Sequence, residues 1–234
     1  SDNGMENVLI MIDEEGDLAT EDEKERLKSI DNHKLWIDTA AEMNCSSVRL
    51  NLYGTQDVET WKSLSIESLS VLGEYAKGSG LNVIVENHGR ITSNIPELMK
   101  TINGVNMDNV GTLPDFGNFC VKQHPEKYGE AARMFTMGAE SKSDRPPTIY
   151  DTCAQRYNMY DGIKKLMKYA KGVSAKTHGF DINGNDVDID YKKMLQIVKE
   201  SEYQGFIGVE AQAFTMDPIE AIIASKKLLV NSYS

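Results

Sequence analysis

"LNVIVENHGR", residues 81–90, begins as a buried strand and ends as something else. Leu81, Val83, Ile84 and Val85 suit a strand covered on both faces, because parallel sheets bury runs of apolar, often branched, side chains. The run then changes abruptly to Glu86, Asn87, His88 and Gly89. A carboxylate, an amide and an imidazole at the C-terminal end of a buried strand stand where a (β/α) barrel keeps its chemistry. Side chains alternate along a strand, so Glu86 and His88 share a face with Ile84.

The same pattern recurs on both sides of this stretch. "VLIMID" (8–13), "SVRLNLYG" (47–54), "VGTLPDFGNF" (110–119), "GVSAKTHGF" (172–180) and "GFIGVEAQ" (205–212) are further short apolar runs. Segments of helical period separate them. In residues 21–44, Leu27, Ile30, Leu35, Ile37 and Ala40 form a rough apolar stripe. Residues 59–80 end in Gly78 and Gly80, a glycine pair suited to a helix end. In residues 217–230, Asp217 can cap a helix whose first position is Pro218. Strand–helix repetition predicts parallel strands joined by crossover helices. No GxGxxG or GxxxxGK[ST] follows a strand, so a nucleotide-binding fold has no support.

The expected fold is therefore α/β, a single (β/α) TIM-type barrel domain over residues 1–234. Six strands can be counted, whereas a full barrel has eight in about 250 residues. The barrel is expected to lack its first two βα units, through truncation, a missing piece of the gene product or edge coverage by a partner subunit. Six strands leave two open edges, which predicts a homo-oligomer. Residues 137–155 carry Pro146-Pro147 and no periodicity, and read as an inserted surface loop, either a lid or a passive insertion. "DINGNDVD" (181–188) has neither the glycine nor the terminal glutamate of a calcium loop and reads as a turn.

The net charge of the 234 residues is -11, with pI near 4.9, and no basic stripe interrupts it. Phosphate neutralisation needs such a stripe, so nucleic acid is excluded as a partner. No run approaches the ~18 apolar residues of a membrane helix. No secretory leader is visible at Ser1, which predicts a cytoplasmic protein, or an exported one whose leader has been removed. The acids crowded between Asp13 and Glu25 read as a solvated helix start. Cys45, Cys120 and Cys153 have no CxxC spacing and read as buried free thiols in a reducing compartment.

Four strands bring Glu86, Asp115, His178 and Glu210 to one end of the sheet. Three carboxylates gathered there need a counter-charge. A divalent cation with O and N ligands would serve, and the mixture suits Mn²⁺, Mg²⁺, Co²⁺ or Zn²⁺. Lys176 and Arg49 are the rival counter-charges and would make a metal-free polar site. By alternation Ser174, Lys176 and His178 share a face, and so do Arg49, Asn51 and Tyr53.

"VIVENHG", "VGTLPDFGNF", "GVSAKTHGFD", "IDY" and "GFIGVEAQ", in this order, resemble the sugar phosphate isomerase/epimerase family, the xylose-isomerase-like TIM barrels. The resemblance spans nearly the whole chain, and "LIMIDEEGDLA" and "HKLWIDTA" share it. It implies a metal site of Glu, Asp, His and Glu from four later strands. Glu86, Asp115 and Glu210 match three of these positions. The fourth falls on Ser174, so His178, four residues on, is expected to complete the set. A second family histidine falls on Asn118.

The chemistry implied is movement of a proton beside a sugar carbonyl through an enediolate. Glu86 and Glu210 would be the acid/base pair, and Arg49, Asn51, His88 and Lys176 would hold the substrate. For Lys176 a simple salt bridge to a rim carboxylate is the alternative. A lyase or hydrolase acting on a 3-keto sugar shares the first step, and a degenerate sugar-binding barrel is the non-enzymatic reading. No Arg/Lys cluster marks a phosphate site, which favours an unphosphorylated sugar. His33 is expected to be structural and His124 exposed.

Overall fold

Short acidic and amide side chains start the helices, and the strands begin where the apolar runs do. Asp22 accepts from Glu25 N and opens α1 (Glu23–Glu42), and Asp57 accepts from Thr60 N and opens α2 (Val58–Lys77). The computed structural model describes residues 3–127, 148–212 and 216–234. The chain divides into two compact units, one of Ser1–Leu113 with Tyr169–Gly172, the other of Pro114–Lys168 with Val173–Ser234.

In the first unit β1 (Leu9–Met11), β2 (Ser47–Leu50), β3 (Asn82–Glu86) and β4 (Val110–Leu113) form a parallel sheet in chain order. Arg49 pairs with Ile84, and Glu86 with Leu113, which sets the residues at the C-terminal strand ends beside one another. The crossovers are α1, α2 and α3 (Ile95–Val105). Val83, Ile84, Val85, Leu69, Leu72 and Leu98 are wholly buried. Trp61 Nε1 donates to Leu52 O at 2.7 Å, so the buried indole of α2 satisfies the chain leaving β2. Gly54, at φ 148°, lies so close to Ala19 that a Cβ would meet its carbonyl carbon at 2.1 Å, which requires glycine there.

The stripe expected on α1 is corrected. Leu27 and Leu35 are exposed, and the buried face runs through Arg26, Ser29, Ile30, His33, Ile37 and Ala40. The steps from 26 through 30, 33 and 37 to 40 follow the helical repeat, and Leu27 and Leu35 fall off it. Arg26 is admitted because Glu67 meets its guanidinium at 3.2 Å. His33 is structural, as expected: its Nδ1 lies 2.7 Å from Ser29 O.

In the second unit β7 (Val173–Thr177) and β8 (Ile207–Ala211) pair in parallel. The chain after β4 runs alongside β7: Asp115 bridges Ser174, whose N–H donates to Pro114 O at 2.9 Å. Helices α4 (Met159–Leu166), α5 (Tyr191–Glu200) and α6 (Pro218–Tyr233) are capped by Asn158, Asp190 and Asp217. The six expected parallel strands are thus β1, β2, β3, β4, β7 and β8. Among the described residues β1 pairs only with β2, and β8 only with β7.

Two further strands correct the sequence reading. β5 (Cys120–Gln123) and β6 (Cys153–Arg156) form an antiparallel pair, so residues 153–155, read as loop, are strand. Residues 137–147 of the expected insertion lie outside the described residues. The pairing brings Cys120 and Cys153 to a Cα–Cα distance of 5.7 Å, where they form a disulfide. The reading of three free thiols is overturned for these two, and Cys45 remains a free, buried cysteine. Residues 181–188 form the expected turn, with Gly184 at φ 79° and Asp181 accepting from Asn183 N and Asn185 N.

Candidate functional site

In the second unit the site is built on register. Lys176 on β7 is the pairing partner of Glu210 on β8, and Ser174, two residues earlier, points to the same side. Lys176 Nζ lies 2.6 Å from Glu210 Oε1, and Ser174 Oγ donates to Glu210 Oε2 at 2.7 Å. Asp115, fully buried, lies 3.8 Å from the same ammonium, which also donates to Asn118 Oδ1 at 3.3 Å. Asp115 is aimed by its own turn, because Gly117 N donates to its Oδ1 at 2.9 Å. Burial pushes the Glu210 carboxyl up, and the Lys176 charge pulls against it. Together with hydrogen bonds from Lys176 and Ser174 and one shared with Asp115, that charge holds Glu210 below its ordinary value of 4.5.

Gly117 is part of this construction. A Cβ there would sit 2.4 Å from His178 Nε2 and 2.8 Å from Lys176 Cδ. β7 ends at Thr177, so strand alternation does not itself place His178. The His178 backbone N–H donates to Asp186 Oδ2 at 2.7 Å, and its ring Nδ1 lies 3.3 Å from Asp188 Oδ2. Tyr150 packs edge-on against the ring at 4.9 Å between centroids. Among the described residues His178 joins no metal-holding cluster with Asp115 and Glu210.

The first unit holds a second cluster. Arg49 on β2 is 3% exposed and meets Glu86, 1% exposed, with Nε 3.0 Å from Glu86 Oε2. The same guanidinium is ion-paired to Asp13, which follows β1. Asp13 also accepts from Asn51 Nδ2 at 2.9 Å. Burial raises the Asp13 carboxyl, but the hydrogen bond and charge of Arg49 outweigh it, so Asp13 lies below the usual carboxylate range. Asn51 Oδ1 lies 3.0 Å from His88 Nδ1, and Tyr53 Oη is 2.9 Å from that nitrogen. The turn after β3 is held by His88 N donating to Thr92 Oγ1 and Gly89 N donating to Ser93 Oγ, both at 2.9 Å. Arg90 covers the Tyr53 ring at 4.6 Å. Sequence reading missed Asp13 as a site residue, although it closes the apolar run "VLIMID" in the way Glu86 closes its own.

The donor set can be tested against a divalent cation. Asp115 and Glu210 approach closely enough to share a hydrogen bond, and two carboxylates in contact hold a proton or a cation between them. Lys176 supplies one positive charge for the two. Where the resemblance implied a histidine, Ser174 offers a hydroxyl already given to Glu210. The residues fit a cation held by hard oxygen donors.

A family model described as "Xylose isomerase-like TIM barrel" matches residues 1–231. An inosose dehydratase of Clostridium perfringens is 22% identical over 179 residues, covering 73% of this chain and 54% of that protein. The chain therefore spans about half the length of that curated relative. Among solved structures, a D-tagatose 3-epimerase-like protein superposes with a TM-score of 0.71 at 16% identity, covering 99% of this chain and 78% of its own. The IOLI protein, solved with a bound zinc atom, gives 0.65 at 20% identity over 96% of this chain and 76% of that one.

Proposed function

The chain belongs to the xylose isomerase-like TIM barrel family, and from that premise we propose that it is a metal-dependent sugar isomerase or epimerase. The observation that carries this reading is the Asp115–Glu210 carboxylate pair, anchored by Lys176 and Ser174 at the ends of parallel strands. In this reading Glu86, Asp115 and Glu210 are the ligands of a divalent cation, and His178 is left to Asp186 and Asp188. A cation held there would polarise the sugar carbonyl and acidify the adjacent C–H.

The protein groups do the rest. Glu210, held ionised by Lys176, removes the proton from carbon, and Glu86 returns one on the other side of the sugar plane. Lys176 and Arg49 hold substrate oxygens as negative charge develops on them. Asn51 and His88 hydrogen-bond sugar hydroxyls. A homo-oligomer is part of the proposal, because unpaired strand edges recruit partners and, among the described residues, β1 pairs only with β2 and β8 only with β7; a monomer on gel filtration removes that part. The Cys120–Cys153 disulfide favours an exported form over a cytoplasmic one, since such bonds persist in oxidising compartments.

The inosose dehydratase relative favours a second reading, loss of water from a keto-sugar after the same proton abstraction. A panel of free ketoses, inososes and 3-keto-glycosides in deuterated water separates the two. Exchange with recovery of a sugar isomer supports the first, and exchange with an unsaturated product supports the second. Glu210→Gln should cut exchange by about 10²–10⁴-fold with the fold intact. Retained exchange removes Glu210 from the mechanism. Protein purified without chelator and carrying no divalent metal by elemental analysis favours the degenerate sugar-binding barrel.

A further inference from the structure

Helix α6 carries apolar residues on two faces rather than one. Ala221, Ser225 and Leu228 are buried, and Ser225 Oγ lies 2.7 Å from Thr177 Oγ1 on β7, so this side faces the strands. A surface helix turns polar side chains away from its core. On the opposite side of α6, however, stand Ile219, Ile223 and Val230, which are 68%, 61% and 57% exposed. Their spacing of four and then seven residues sets them in one line along the helix. A row of branched apolar side chains in water marks an association surface.

The charges beside the row decide what covers it. Glu220, Lys226 and Lys227 are exposed, and among the described residues none of these side chains has an ion pair in its own chain. Glu220 and Lys227 are two turns apart and so lie on the same flank of the row. Let α6 of a second copy lie antiparallel on this face, about a twofold axis at Ile223. Glu220 of each copy then comes level with Lys227 of the other to within about 1.5 Å along the axis. Both opposite-charge pairs form at once, Ile223 meets Ile223, and the apolar stem of Lys226 covers Ile219. Such self-complementarity is what a twofold contact requires.

We propose that the outer face of α6 is the surface through which two copies of this chain associate, antiparallel about an axis at Ile223. This rests on the reading of the protein as a homo-oligomer and names the contact. Sedimentation velocity over a range of concentrations tests it. The unmodified protein should be dimeric or a multiple of a dimer, and Ile223→Glu should halve its mass. Glu220→Lys should weaken association about 10-fold or more, and adding Lys227→Glu to it should restore the affinity. Ile223→Cys should cross-link to its own copy on mild oxidation, whereas Val230→Cys, far from the axis, should not. An oligomer that survives Ile223→Glu and gives no cross-link through Ile223→Cys overturns this surface alone. A monomer at every concentration overturns the homo-oligomer reading with it.

Discussion

Both clusters set one cation against two carboxylates, yet they do so with different tools. Arg49 faces Asp13 and Glu86, and its planar fork reaches both, Glu86 at 3.0 Å. Lys176 faces Asp115 and Glu210 and reaches them unequally, at 3.8 Å and 2.6 Å. A guanidinium offers several donors in a fixed plane, whereas an ammonium is a compact point charge. Each cluster thus keeps one carboxylate charge in excess, and they differ in how closely the cation meets its second carboxylate.

The contrast can be broken by swapping out each cation. Arg49→Met removes the ion pair to buried Glu86 and should lower stability by about 3–5 kcal/mol. Lys176→Met should cost less, because Glu210 is only half-buried, and excess Mn²⁺ should return part of the loss. Chemical denaturation with and without the ion measures both. Equal losses with equal rescue would erase the distinction.

The units also differ in covalent anchoring. The second carries the Cys120–Cys153 bond, and the first carries only the buried thiol of Cys45. Cys153→Ser should lower stability by about 2–4 kcal/mol. In denatured, unreduced protein one thiol should react with a labelling reagent, and three reactive thiols would show that the bond does not form.

A smaller effect sharpens the first unit alone. Burial lowers the His33 imidazole below its ordinary 6.5. The unfolded chain then binds more protons than the native one, so this contribution is intact above pH 6.5 and is lost as the pH falls below it. The loss amounts to at most about 1.4 kcal/mol per pH unit. The denaturation midpoint of His33→Gln should fall less between pH 7 and pH 5 than that of the unmodified protein. The smallest change is expected on α1: Leu35→Glu should stay within about 0.5 kcal/mol, whereas Ile37→Ala should cost about 2–5. A large loss from Leu35→Glu would restore the stripe that the structure rejects.

Much of this architecture was legible in the residues. Buried parallel strands announce themselves as apolar runs, so all six such strands could be read, and with them the strand-end carboxylates Glu86, Asp115 and Glu210. What escaped has local causes. "CVKQ" and "CAQR" are short and polar, and their pairing across a separation of 33 residues leaves no trace in either. The disulfide escaped with them. The expectation for His178 carried a two-residue alternation past the end of its strand, to where the chain turns toward Asp186 and Asp188. Asp13 was overlooked among the many acids around it, and its partnership with Arg49 exists only once β1 and β2 lie side by side.

Gly117 has a consequence for reading related genomes. Any side chain at that position collides with the stem of Lys176 and with the ring of His178. A homologue bearing alanine or larger there must have moved or replaced one of those two groups. That single column, inspected by eye, would sort relatives that inherited this lysine geometry from those that abandoned it.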